Sequence, residues 1–252
     1  MNKMMILSVG MPRAGTGWYY NITQDLISAN GGLSARTVRA KYGLKYFLTE
    51  VNCNVGTLSF YRLLPVIFPL LFEPRYVIKL HAGRRPLADF LINLGFIKST
   101  FIYRDPRDAL LSAYEYGQRM TKAGLKNAFT PLTTIDEAMI FMDDYVDFAK
   151  GWISSRKTLI TRYEDLIQNY DHEVQRLCEH INVDFNLPKN QEIVDKYRPE
   201  RKAKNHVGLH FSKGKIGRHK TLITESQLIE CNRMFGNFLD ENGYNKYDET
   251  IS

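Results

Sequence analysis

A glycine-rich stretch near the start of the chain is the first place where chemistry is legible. Gly10-Met11-Pro12-Arg13-Ala14-Gly15-Thr16-Gly17-Trp18 follows a short apolar run, Met4–Val9, and precedes a helical pattern. Such a turn gathers backbone N–H groups around an anion, and the helix dipole adds to the attraction. Gly10 and Gly15 keep the spacing of a Walker A loop, but that motif requires Lys and then Ser or Thr after the second glycine. Thr16 and Gly17 stand there instead. The lysine that reaches β- and γ-phosphates is missing, and so is the adjacent hydroxyl that holds Mg²⁺. A cation, Arg13, sits inside the loop. The turn suits a smaller anion bound without a metal; a plain strand–helix turn is the alternative reading.

A second candidate is Lys79-Leu80-His81, at the end of an apolar run. Imidazole is suited to general-base work because its pKa lies near working pH. A third is charge. Lys and Arg exceed Asp and Glu by seven, 34 against 27. Arg198–Lys220 holds eight basic residues and one acid, which accounts for the whole excess. That concentration fits a polyanion, namely a nucleotide phosphate, a nucleic acid backbone or an anionic surface, or else a solvated basic loop.

The elements that must carry these residues follow from periodicity. Met4–Val9, Tyr76–Leu80, Ser99–Tyr103 and Thr158–Thr161 read as short buried strands. Helical patterns run from Trp18 to Asn30, Pro86 to Leu94, Pro106 to about Arg119, Ile135 to Ser155 and His172 to His180. Thr224-Glu225-Ser226-Gln227 fits a capping box for a last helix. Short apolar strands alternating with helices predict an α/β fold, a parallel sheet covered on both faces. Ligands bind such sheets beyond the carboxyl ends of the strands, where all these candidates fall. The composition, 44% apolar and 24% charged, is that of an ordinary globular chain. The longest near-apolar run, Leu63–Phe72, is interrupted by Pro65 and Pro69, too short for a membrane span. Three scattered cysteines without a CxxC predict no zinc site and a reducing, cytoplasmic setting.

At this point the sequence resembles the sulfotransferases that use 3′-phosphoadenosine-5′-phosphosulfate (PAPS). Their first loop, Pro-Lys-Ser-Gly-Thr-Thr-Trp, is matched by Pro12-Arg13-Ala14-Gly15-Thr16-Gly17-Trp18. Their second signature, an Arg with a Ser eight positions on, is matched by Arg104 and Ser112. Tyr163-Glu164-Asp165-Leu166, Lys213-Gly214-Lys215-Ile216-Gly217 and Lys79-Leu80-His81 match three more elements in the family's order. There are departures. Arg13 replaces a lysine, and arginine grips phosphate bidentately but does not give up a proton. Gly17 replaces a threonine, Ser212 stands where arginine is common, and His219 stands near a usual tryptophan.

The resemblance implies one P-loop-NTPase-like, three-layer α/β domain over residues 1–252. It implies PAPS as donor, 3′-phosphoadenosine-5′-phosphate (PAP) as product, and no metal. His81 would be the general base, with Arg13 and Lys79 beside the transferred group. Ala14, Gly15, Thr16, Gly17 and Trp18 would hold the 5′-phosphosulfate. Arg104 and Ser112 would bind the 3′-phosphate, with Ser212, Lys213 and Gly214 closing over it. Trp18 and Tyr163 would contact adenine, or else be core aromatics. Asp105, Arg107 and Asp108 read as helix-start charges. The acceptor would be a small molecule, glycan or lipid; Leu58–Phe72 offers a lipophilic wall or a core element. Two rivals are a P-loop-type kinase and a non-catalytic nucleotide- or polyanion-binding protein.

Overall fold

Met4–Gly10 carries no charge, and all seven residues are buried as the central strand β1 of the computed structural model. The structure describes residues 3–200 and 214–245. They fall into two compact units. The first is built on residues 3–10, Gly15–Tyr103 and 151–200, with Gly214; the second on Met11–Ala14, Arg104–Lys150 and 215–245.

The first unit contains the whole sheet. Its strands are β1, β2 (Arg75–Leu80), β3 (Ile97–Tyr103) and β4 (Thr158–Arg162), in the order β2-β1-β3-β4. All pairs are parallel; Val9 lies opposite Leu80 on one side and Phe101 on the other. Parallel neighbours require crossovers, and the chain supplies helices for them. They are α1 (Thr16–Ala29), α2 (Ala35–Lys41), α3 (Phe60–Ile67) and α4 (Pro86–Asn93). After β4 come α7 (Tyr163–Gln168), α8 (Tyr170–His180) and α9 (Pro188–Lys196).

Strand alternation sends neighbouring side chains to opposite faces. Met4, Ile6, Val77 and Ile102 meet Ile22 and Leu26 of α1 and Val174 and Leu177 of α8 in one core. From the other face, Phe101 stacks on Trp152, ring centroids 6.3 Å apart. The sheet is therefore covered twice, as a helix–sheet–helix sandwich. The sequence missed α2, α3 and α7, each eight residues or fewer, too short to show a clear period.

The second unit is helical. Its long helix is α5 (Pro106–Lys122), followed by α6 (Ile135–Ile153) up to the unit boundary, then α10 (His219–Leu222) and α11 (Glu225–Glu241). Asp105 caps α5 by accepting from the Arg107 amide, and Pro106 sits in its first turn. The expected box at α11 is present: Thr224 accepts from the Gln227 amide while Gln227 reaches back to Thr224. Among the described residues, no helix is long and apolar enough to cross a membrane.

Candidate active site

β1 ends at Gly10 because the turn leaves no room for a side chain. A Cβ there would lie 2.3 Å from Thr16 Cγ2 and 2.8 Å from the Ile102 carbonyl oxygen. Gly15 takes φ 79° as the residue before α1, a left-handed conformation that glycine adopts without strain. Its missing side chain also lets the Tyr163 ring approach, with ring carbons 2.8 Å from where a Cβ would stand. No side chain caps α1 and no acid lies in its first turn. The amides of Thr16, Gly17 and Trp18 thus open a helix that has no acid of its own in the first turn.

His81 follows β2 directly. Its Nδ1 lies 2.7 Å from the Gly10 carbonyl oxygen. A carbonyl only accepts, so Nδ1 carries the proton and Nε2 keeps its lone pair. Burial pushes the His81 pKa down to about 3; the neighbouring Lys79 ammonium adds to this, and the Gly10 carbonyl opposes it. The ring is therefore neutral at working pH, in the tautomer that accepts a proton at Nε2. Lys79 is itself buried. Its backbone is tied down on both sides, donating to Cys53 and accepting from Val55.

Trp18 is a core residue. Its indole stacks on Tyr170 at 5.8 Å and 5°, and its Nε1–H donates to the Tyr197 carbonyl at 2.9 Å. Tyr163 meets Trp18 edge-on at 6.5 Å and is also buried. Of the two readings of these rings, the core one is what the packing displays for Trp18.

The second unit holds the other candidates. Arg13 takes φ 62°, unusual for a residue with a side chain. Its Nε–H donates to the Ser112 hydroxyl at 3.2 Å, and its guanidinium lies over the Tyr116 ring, 4.5 Å from the centroid. Two predicted anion ligands 99 residues apart in sequence thus meet on one face of α5. Arg104, also buried, donates to Asp108 Oδ2 at 2.9 Å and to the Lys215 carbonyl at 2.8 Å.

Asp108 is an acid in the first turn of α5, as the sequence predicts, but it is buried and has distant partners. Its Oδ2 accepts from Arg104 and from the Gly217 amide, 2.9 Å each, and its Oδ1 from the His219 amide and Nδ1, 3.0 Å each. Burial alone would raise its carboxyl, but the His219 hydrogen bonds and the Arg104 charge outweigh that and hold it well below the usual range. The Arg104–Asp108 spacing of four was visible in the sequence; partners 109 and 111 residues away were not. Arg218 pairs with Glu115 nearby. Gly214 is half-buried. Ser212 and Lys213 lie outside the described residues, as does most of the basic window.

A family model described as the sulfotransferase domain matches residues 95–243. The chain belongs to the sulfotransferase domain family. Its reaction class is sulfuryl transfer, and the Arg104, Ser112, Asp108 and Tyr163 region lies inside the match. No curated protein matches the sequence. Among solved structures, the sulfotransferase is similar to mouse sulfotransferase SULT7A1 complexed with PAP, at 14% identity and a TM-score of 0.64, over 95% of this chain and 86% of that one. It is also similar to retinol dehydratase in a complex with retinol and PAP, at 15% identity and TM-score 0.63, over 95% and 82%. These likenesses establish the α/β fold. The loop residues Arg13–Trp18 and the Lys79–His81 pair precede the family match and rest on the local geometry above.

Proposed function

We propose that this sulfotransferase moves the sulfuryl group of PAPS to a hydroxyl or amine of a small-molecule, glycan or lipid acceptor and releases PAP, with residues 1–252 acting as one catalytic domain. The observation that carries the reading is the Nδ1–H···O bond from His81 to Gly10, the residue that opens the phosphate turn. It leaves Nε2 as an unprotonated base beside the place where the turn would hold an anion.

In the step, the acceptor's proton goes to His81 Nε2 and the acceptor oxygen or nitrogen forms the bond to sulfur. The bond from sulfur to the bridging oxygen breaks, and PAP departs with that electron pair. The uncapped start of α1, with Ala14, Gly15, Thr16, Gly17 and Trp18 contributing backbone amides, supports a role in holding the 5′-phosphosulfate. Lys79 would balance charge on the transferring group. Arg104, Ser112 and Arg13 form the set suited to a 3′-phosphate, since the Arg13–Ser112 bond brings two donors together. That pairing favours a binding role for Arg13 over one at the reacting sulfur. Ser212, Lys213 and Gly214 would close over the nucleotide. The chain's three cysteines are free and buried, which supports a cytoplasmic setting.

The test is thermal stabilisation by PAP, against adenosine 5′-phosphate and against ADP with and without Mg²⁺. A metal-independent shift with PAP, much reduced for adenosine 5′-phosphate, is expected. Arg104→Ala should cost about tenfold or more in PAP affinity and little for adenosine 5′-phosphate. A shift only with ADP and Mg²⁺ would replace the reading with a kinase.

A further inference from the structure

The segment Leu58–Phe72 folds into α3 and a following single turn, Phe68–Leu71. It buries Leu63, Val66 and Leu70, and leaves its other face uncovered. Phe60, Tyr61, Leu64, Phe68, Leu71 and Phe72 are 56%, 83%, 40%, 50%, 63% and 63% exposed. Their spacing of three to four puts them on one side. They are also joined in space: Phe60 meets Tyr61 at 5.9 Å, Phe68 meets Phe72 at 5.5 Å, and Phe72 stacks on Tyr42 at 6.3 Å. A groove of about 440 Å³, lined by Leu44, Phe47, Leu64 and Phe68 among others, continues the apolar surface towards the segment after α2. Isolated exposed apolar residues need no explanation, but a contiguous aromatic patch does.

The charges around it are mostly positive, with Glu73 next to Phe72 an exception. Between Leu26 and Phe72 the chain has five cations, Arg36, Arg39, Lys41, Lys45 and Arg62, and one acid, Glu50. Lys45 lies 5.0 Å from the centroid of the exposed Tyr46 ring, and Lys41 5.7 Å from that of Tyr42. Lys3 donates to the Leu71 carbonyl at the edge of the patch. Lys41 also pairs with Glu73 at 2.6 Å.

We propose that this face docks on the surface of an anionic lipid membrane, with Phe60, Tyr61, Leu64, Phe68 and Leu71 entering the headgroup boundary and Lys3, Lys41 and Lys45 meeting lipid phosphates and carboxylates. Aromatic and aliphatic side chains rimmed by lysines are the arrangement that an interfacial surface requires. A second copy is a poorer occupant. Two-fold pairing would bring two net-positive faces together, and like charges across an interface repel. The proposal does not depend on the nucleotide or the acceptor.

The test is sedimentation of the full chain with vesicles of phosphatidylcholine alone, or with about one-third phosphatidylserine. Binding to the anionic vesicles, weakened by salt, is expected, with neutral vesicles binding at least about tenfold less. Lys45→Glu should lower anionic binding about tenfold, and the Tyr61→Ser, Leu71→Ser double variant at least as much, both with unchanged melting temperature because these side chains are exposed. Equal binding to both vesicles, or to neither, overturns the proposal. So does self-association of the wild-type chain that the double variant abolishes, which would assign the patch to a second copy.

Discussion

Asp108→Asn tests a buried, fully paired carboxylate of the second unit. The carboxylate accepts four hydrogen bonds, two per oxygen, from Arg104, the Gly217 amide, and the amide and Nδ1 of His219. Asparagine keeps the shape and one oxygen. Whichever way its amide turns, an NH₂ group faces two of those four donors. The negative charge opposite Arg104 is also lost, in a place where the Asp108 side chain has no exposure. Breaking one side of such a buried pair costs about 3–5 kcal/mol. At this chain length that is a fall in Tm of about 6–20 °C. Hydrogen exchange reads the effect locally: the Gly217 and His219 amides should lose about 100-fold or more of their protection. The pH dependence has a definite sign. A carboxyl held below its ordinary value contributes stability that is fully present above about pH 4, the unfolded value, and lost as pH falls towards the folded one. The stability gap between wild type and Asp108→Asn should therefore narrow below about pH 4. Wild-type exchange rates at Gly217 and His219 in the variant, or a gap that stays constant from neutral pH to pH 3, would refute the reasoning.

Two further outcomes follow from the first unit. His81→Ala should lower turnover by roughly 10²–10⁴ and leave PAP affinity within about threefold, measured by single-turnover rates and calorimetry. Because His81 titrates at about 3 while an unfolded histidine titrates near 6.5, its neutral ring stabilises the fold above about pH 6.5 and this is lost on acidification. His81→Gln should accordingly flatten the stability loss between about pH 6.5 and 4, and wild-type kcat/KM should show no acid limb near pH 6.5; such a limb, absent from the variant, would contradict the neutral ring. Gly10→Ala should destabilise by about 1–3 kcal/mol, since its Cβ would meet Thr16 and Ile102 inside contact distance, whereas Gly151→Ala in α6, with nothing within 4 Å, should be neutral or stabilising by denaturant titration.

The four strands, their parallel arrangement and most of the long helices were determined by the sequence itself. Local rules govern them: uncharged runs such as Met4–Gly10 have only a buried strand to form, and Asp105-Pro106 and the Thr224–Gln227 box stop or start helices through contacts within four residues. The turn, Arg104, Ser112 and the Lys79–His81 pair were legible for the same reason, since each is a short motif after a strand. Tertiary structure alone decided what those side chains contact. Only it sets the His81 tautomer, because the Gly10 carbonyl is 71 residues away. Only it sends Trp18 into the core under Tyr170 and Tyr197, and makes Asp108 the centre of Arg104, Gly217 and His219. It also left half of Leu58–Phe72 uncovered, where hydropathy allowed either a core element or a surface. Hydropathy and spacing act over a few residues, whereas burial, charge pairing and proton position depend on which distant segments the fold brings together.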